Sequence, residues 1–499
     1  MQITVNDRTG DSIGAEGQIK DWESLPWLLI EKSISKLRRR IFRATREQKW
    51  KVVHNLQKLM LRSYFNLLVS VRRVTQKNKG KKTAGVDGEV TLTPDARMGL
   101  VRSMGKYTLW KVKPARRVYI PKAGKPGQER ALGIPTIRNR VAQAIVKNAL
   151  EPCWEARFEP NSYGFRPGRS IHDAIEQCWR FLNKRSRRPW VLDADLRSAF
   201  DKLSHEHILK VIGQMPGREL IRAWLKAGYV EAEIFHETES GTPQGGVISP
   251  CLFNVALHGL QQTIGPAYGL VLYADDLIVC ASTREEIEAV RLTIEDWLAP
   301  RGLTLHPEKT RIVHIDDGFN FLGFSLRRYK GKCLVKPQKE KVLSFLRKLR
   351  SWLNNHKQAK AENVIRHLNP ILRGWSNNYM HVVSKQTFSC VSKEIWKMLW
   401  KWCLRRHQNK GKRWVAKKYF GQHGNAPWRF QAKVGDTTLY LYDVASVKIE
   451  RHIKVRGAAS PDDPALQDYW KARQDERNTR RRHRKATKSP AMIRVGGVS

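Results

Sequence analysis

Two adjacent carboxylates interrupt an apolar run in this chain: Tyr273-Ala274-Asp275-Asp276 stands between Gly269-Leu-Val-Leu272 and Leu277-Ile-Val-Cys280. Both flanks favour strands, so the simplest geometry is a β-hairpin with the aspartates at or beside its tight turn. That hairpin carries two anions into a partly buried site. Burying them unpaired costs several kcal/mol, which requires a neighbouring cation or a shifted protonation state. A hard divalent metal answers the requirement most simply.

A second acidic segment, Trp190-Val-Leu-Asp193-Ala-Asp195-Leu-Arg-Ser-Ala-Phe200-Asp201, also opens as a strand. Alternation along a strand puts Asp193 and Asp195 on one face. Carboxylates converging from two strands are what phosphoryl transfer by two Mg²⁺ ions requires, with the ions about 3.5 to 4 Å apart. Taken alone, paired aspartates on an apolar strand more often reflect a turn or a capped helix than catalysis.

The charge balance narrows the partners. Against 46 Asp and Glu stand 92 Lys and Arg, a formal net charge of +46. Such a surface needs a polyanion, and nucleic acid leads because each neutralised phosphate releases a counterion. Membrane headgroups are the rival, yet no apolar run approaches the roughly 20 residues that span a bilayer, and no secretory signal opens the chain. A soluble cytoplasmic protein is expected. The seven cysteines form no Cys-x-x-Cys pair, and buried, reduced packing residues are expected.

Along the chain, residues 1 to 25 are polar and expected to fray, and 26 to 74 carry apolar residues at helical spacing. From about Trp110 to Leu334 short β-branched runs alternate with Gly/Pro turns and helical segments, an α+β texture. Helical periodicity returns from Lys336 to His407. Val342, Phe345, Leu346, Leu349, Trp352 and Leu353 make one apolar stripe, and Ile395, Met398, Leu399 and Trp402 make another. Lys393, Lys397, Lys401 and Arg405 fall on the outer face of the second, either gripping a duplex backbone or simply solvated. The run from Arg480 to Lys488 is expected to be disordered.

Read in order, several strings carry a family resemblance: Leu-Gly-Ile-Pro (132 to 135), Asn-Ser-Tyr-Gly-Phe-Arg-Pro-Gly-Arg-Ser (161 to 170), Asp195 with Phe200, Gly-Thr-Pro-Gln-Gly-Gly-x-x-Ser-Pro (241 to 250), Tyr-Ala-Asp-Asp (273 to 276) and Phe-Leu-Gly-Phe (321 to 324). This succession resembles the motifs of group II intron reverse transcriptases. It extends from a block ending in Thr83-Ala-Gly-Val-Asp-Gly88 to a segment containing Leu372-Arg-Gly-Trp-Ser376.

The resemblance implies a right-hand polymerase. An N-terminal extension and the start of the fingers would occupy 1–109, fingers and palm 110–335, a helical thumb/X (maturase) bundle 336–420, and a basic DNA-binding region with a disordered tail 421–499. It implies that Asp195, Asp275 and Asp276 are the catalytic carboxylates and, with the Leu196 carbonyl, hold two Mg²⁺ ions. Phe200 would exclude a 2′-hydroxyl, Gln244 would lie against the incoming nucleotide, and Lys122 and Arg130 of a fingers hairpin would neutralise its triphosphate. Arg166, Arg169 and Lys309 rank below these as template or primer contacts.

The implied activity is RNA-directed DNA polymerisation from deoxynucleoside triphosphates on an RNA template/DNA primer duplex. To it are coupled binding of the intron RNA to assist splicing and mobility into target DNA by target-primed reverse transcription. Retron, diversity-generating or defence-associated reverse transcriptases, or a catalytically silent RNA-binding splicing factor, are the alternatives. Relatives often end in a His-Asn-His endonuclease with paired cysteines. No cysteine follows Cys403, so cleavage of the second DNA strand is not expected.

Overall fold

The apolar flanks of the paired aspartates form the expected hairpin, Gly269–Tyr273 with Asp276–Ala281. In the computed structural model, which describes residues 21–105, 112–121, 127–424 and 426–486, the hairpin occupies one side of a four-stranded antiparallel sheet. The order continues through Trp190–Asp195 to Arg311–His314. Leu270, Val271, Leu272, Leu277, Ile278, Val279 and Cys280 are all buried. Both faces are therefore covered, one by the helix Ile171–Leu182 and the other by Arg284–Leu298. Continuous burial explains why these strands read as unbroken apolar runs.

A second four-stranded sheet begins with the hairpin Ala115–Pro121 and Glu129–Ile134 and continues, by a parallel pairing, to Tyr229–Glu231 and Ile234–His236. The hairpin leads into the helix Ile137–Glu155, started by the Thr136 side chain on the Asn139 amide and buried along nearly its whole length. The helices Trp27–Arg46, Trp50–Arg62 and Tyr64–Arg72 pack on it. The expected fraying of 1 to 25 does not hold for 21 to 25, because Trp22 and Leu25 are buried in this core. Residues 1 to 20 lie outside the described residues.

Past a small sheet of Phe319–Phe321, Phe324–Tyr329 and Lys332–Pro337, three helices form the second core. They are Lys339–Asn355, Ala361–Tyr379 and Lys385–Arg406. The two apolar stripes face inward, with Leu346, Leu349, Leu353, Ile395, Met398, Leu399 and Trp402 buried. Lys393, Lys397, Lys401 and Arg405 are exposed. The fold has no break at residue 420: the sheet Phe420–His423, Ala426–Val434 and Thr437–Tyr440 packs on this bundle and shares its core.

The expected disorder from Arg480 is also corrected as far as Ala486, the last residue of the helix Gln467–Ala486. Its anchor is tertiary rather than local. The Trp470 indole donates to the Ser460 carbonyl at 2.8 Å and lies against Gly168, and Arg473 reaches the buried Asp173. Six of the seven cysteines are buried as expected, and Cys390 is exposed. Among the described residues no helix is long and apolar enough to cross a membrane.

Candidate active site

The tight turn of the hairpin consists of Ala274 and Asp275, closed by the pair Tyr273 and Asp276. Ala274 sits at φ +56°, the left-handed region that hairpin turns demand. What holds it there is the 161–170 string. Tyr163 N–H donates to the Leu272 carbonyl and Leu272 N–H to the Asn161 carbonyl, both at 2.9 Å, which adds a rung to the hairpin edge. Gly164 is pressed onto the turn so closely that a Cβ there would overlap the Ala274 amide nitrogen. Its carbonyl accepts a 2.8 Å bond from the buried Asn254 amide.

The strand register sets the carboxylates opposite one another. Asp195 pairs with Asp276, Asp193 pairs with Ile278, and Leu196 N–H donates to the Asp275 carbonyl at 3.0 Å. Directly opposed like charges on an antiparallel pair are destabilising. At an effective dielectric near 20 and a separation of about 5 Å the repulsion is about 3 kcal/mol. Desolvation, reinforced by Asp275, Asp195 and Asp193, pushes the Asp276 carboxyl up to about 7. Burial likewise moves Asp193 to about 6 against the pull of Arg311, and raises Asp275.

Cations partly offset this field. Lys309 forms an ion pair with Asp195. Its position follows from the 302–307 stretch: His306 N–H donates to the Asp195 carbonyl at 2.7 Å, Leu305 bridges Leu196, and Lys309 N–H returns to the His306 carbonyl at 3.2 Å. Arg311 approaches Asp193 at 3.8 Å, a partner that no sequence signal singled out. Arg130 is exposed on the hairpin Ala115–Pro121 with Glu129–Ile134 and acts electrostatically on Asp275. Lys122 lies outside the described residues.

The donors are hard carboxylate oxygens, crowded and under-compensated, which fits a hard divalent cation. Oxygens of Asp195, Asp275 and Asp276 do not all come within 4.8 Å of one another, in keeping with their mutual repulsion and the hold of Lys309 on Asp195.

Phe200 follows Asp195 on the short helix Ala199–Lys202 and stacks on Phe253 at 4.6 Å. Its carbonyl accepts from Thr242 N–H at 2.6 Å, which docks the 241–250 loop. Gly133 N–H donates to the Gln244 carbonyl at 2.9 Å, and a Cβ at Gly245 would lie 2.6 Å from the Gly133 carbonyl oxygen. The close backbone approach of this glycine is thus to the fingers strand, and the loop ties the two sheets together. Phe200, Arg117, Gly133, Gln143 and Pro243 line a cleft of about 240 Å³ on the fingers side, and none of the three carboxylates borders it.

Arg166 and Arg169 are turned inward. Both Glu155 oxygens accept from Arg166 at 2.9 Å, and the carbonyls of Glu159 and Ser162 take its remaining terminal nitrogen, all in a buried setting. Four of the five N–H groups are taken and the side chain is buried, so that guanidinium is a strut beneath the turn with little access for a template phosphate. Arg169 donates to the carbonyls of Pro160 and Gly457, joining the 161–170 string to the C-terminal segment.

Three family models match the chain: "N-terminal domain of reverse transcriptase" over residues 22–104, "Reverse transcriptase (RNA-dependent DNA polymerase)" over 120–326, and "Group II intron, maturase-specific domain" over 342–420. Protein YkfC of Escherichia coli (strain K12) is 33% identical over 311 residues, 53% of this chain and 81% of that protein. Group II intron-encoded protein LtrA of Lactococcus lactis subsp. cremoris is 35% identical over 193 residues, 38% of this chain and 31% of LtrA. Maturase-like protein 1 of Euglena gracilis is 24% identical over 397 residues, 76% of this chain and 84% of that protein.

Proposed function

The chain belongs to the reverse transcriptases encoded by group II introns, with a polymerase domain and a maturase-specific domain in succession, and from that premise we propose how its residues divide the work. It copies RNA into DNA, binds the intron RNA that encodes it to assist splicing, and promotes mobility into target DNA by target-primed reverse transcription. The observation that carries the polymerase reading is the register that sets Asp195 against Asp276, with Asp275 bonded through its carbonyl to Leu196.

Asp195, Asp275 and Asp276, with the Leu196 carbonyl, would hold two Mg²⁺ ions. When bound, such ions activate the attacking 3′-hydroxyl and stabilise the leaving pyrophosphate. Lys309 restrains the Asp195 carboxylate and lessens the repulsion that the site carries without metal. Phe200, braced by Phe253, would bear on the sugar and disfavour a 2′-hydroxyl. Gln244 would contact the nucleotide, and Arg130 with Lys122 would neutralise its triphosphate.

The exposed Lys393, Lys397, Lys401 and Arg405 on Lys385–Arg406 would grip the template/primer backbone, as a thumb does. The strands between 420 and 440 belong with that bundle, and the basic segment beyond them would serve intron RNA and target DNA. Lys309 is the one lower-ranked contact kept near the chemistry, since Arg166 is consumed by Glu155.

Primer extension on poly(rA)/oligo(dT) with Mg²⁺ tests the reading, comparing wild type with the double variant Asp275→Ala plus Asp276→Ala. Incorporation by wild type that disappears in the variant is expected, and equal incorporation by both would end the enzymatic reading. Splicing of the intron RNA by the inactive variant is expected to persist, because the maturase role rests on binding.

A further inference from the structure

Away from the carboxylates, three histidines from distant parts of the chain meet. His172 lies in the first turn of Ile171–Leu182, His381 follows the helix Ala361–Tyr379, and His452 belongs to the irregular run returning to the palm. One ligand-competent ring nitrogen from each lies within 4.8 Å of the other two, the only such trio of His, Cys, Asp or Glu among the described residues. Ring centroids are 4.6 Å apart for His172 and His381, 5.5 Å for His172 and His452, and 5.6 Å for His381 and His452. All three rings are partly buried.

Each ring is also fixed through one nitrogen by an oxygen. His172 Nε2 meets the Asn378 carbonyl at 2.9 Å, His381 Nδ1 meets the Glu450 carbonyl at 2.8 Å, and His452 Nε2 meets Asp173 Oδ1 at 2.9 Å. Metal-ligating histidines show this pattern: the second nitrogen donates to a carbonyl or carboxylate, which sets the tautomer and aims the first. Asp173 is itself fully buried and held by Ser170 and by the Val455 amide.

We propose that His172, His381 and His452 form a transition-metal site, occupied by Zn²⁺ and distinct from the carboxylate site, that fastens the thumb and the C-terminal segment to the palm. Imidazole nitrogens suit Zn²⁺ and disfavour Mg²⁺, which prefers oxygen. Three protein ligands leave a fourth tetrahedral position for water. The neighbouring Arg473 and Arg477 oppose a dication, and Asp173, bonded to His452, partly answers Arg473.

The test uses the full chain, stripped with chelator, re-exposed to Zn²⁺ in excess Mg²⁺, desalted, and assayed for bound metal. One zinc per chain is expected in wild type and in Asp275→Ala plus Asp276→Ala. Its loss is expected in His381→Ala plus His452→Ala, with affinity falling by more than the roughly 10- to 100-fold typical of second-sphere changes. Should that variant fail to fold, His452→Cys is expected to keep the metal, and Co²⁺ in its place to gain a sulfur-to-metal charge-transfer band in the near ultraviolet. Zinc absent from folded wild type, equal zinc in the two alanine variants, or a Co²⁺ spectrum that His452→Cys leaves unchanged would overturn the proposal.

Discussion

Asp276→Asn is expected to make the metal-free protein more stable while destroying its polymerase activity. The cause is the crowding of Asp276 by burial and by Asp275, Asp195 and Asp193, which moves its carboxyl from 3.8 to about 7. An acid whose folded value exceeds its unfolded value takes up protons on folding. Its contribution is therefore full below about 3.8 and is lost as pH rises through about 7. The full loss is about 4 kcal/mol, of which only about 1.6 kcal/mol has accrued at pH 5. Asparagine keeps the shape and removes the charge, although its amide must still be buried, so a net gain of about 1–3 kcal/mol is expected at pH 8. Thermal unfolding of the full chain in chelator should show Tm higher by about 1–3 °C for the variant at pH 8, and by less than half that at pH 5. Added Mg²⁺ should raise wild type and close the gap. A variant no more stable than wild type at pH 8, or a gap that ignores pH, would refute the reasoning.

Other substitutions probe separate parts of the site. Lys309→Gln removes a charge-assisted bond worth about 1.5–3 kcal/mol, so kcat/KM for primer extension should fall by about 10- to 100-fold; unchanged incorporation would detach Lys309 from the chemistry. Phe200→Ala should relax discrimination between deoxy- and ribonucleotides by at least about ten-fold, measured as the ratio of dTTP to UTP incorporation, and an unaltered ratio would leave Phe200 a packing residue. Arg166→Ala should cost about 3–5 kcal/mol of stability by stranding Glu155, whereas template affinity at a permissive temperature should hold; normal stability with weakened template binding would reverse that assignment.

Local patterns were legible in the sequence wherever one element decided the outcome. The hairpin around Asp275 and Asp276 followed from its apolar flanks, and the inward stripes of the helices Lys339–Asn355 and Lys385–Arg406 followed from helical spacing. Properties that depend on distant partners were hidden. Arg166 reads as a basic residue in a turn, and only the fold reveals the buried Glu155 that claims it. The charge run ending near Ala486 reads as disordered because nothing local holds it, yet Trp470 and Arg473 reach 300 residues back to Gly168 and Asp173. His172, His381 and His452 have no mutual spacing to notice, since two long excursions of the chain separate them.

Register is the sharpest case of this division. Alternation puts Asp193 and Asp195 on the same face, and sliding the strand by two residues preserves that face. Periodicity therefore could not decide which of them opposes Asp276; family resemblance singled out Asp195, and tertiary bonding gives the physical reason. Leu196 N–H is tied to the Asp275 carbonyl, and on the other side Leu196 bridges Leu305 while the Asp195 carbonyl accepts from His306. A two-residue slip would break these contacts and carry Asp195 away from Lys309. The 302–309 segment thus acts as a register clamp on the Asp195 strand, and nothing in its amino-acid string announces that role.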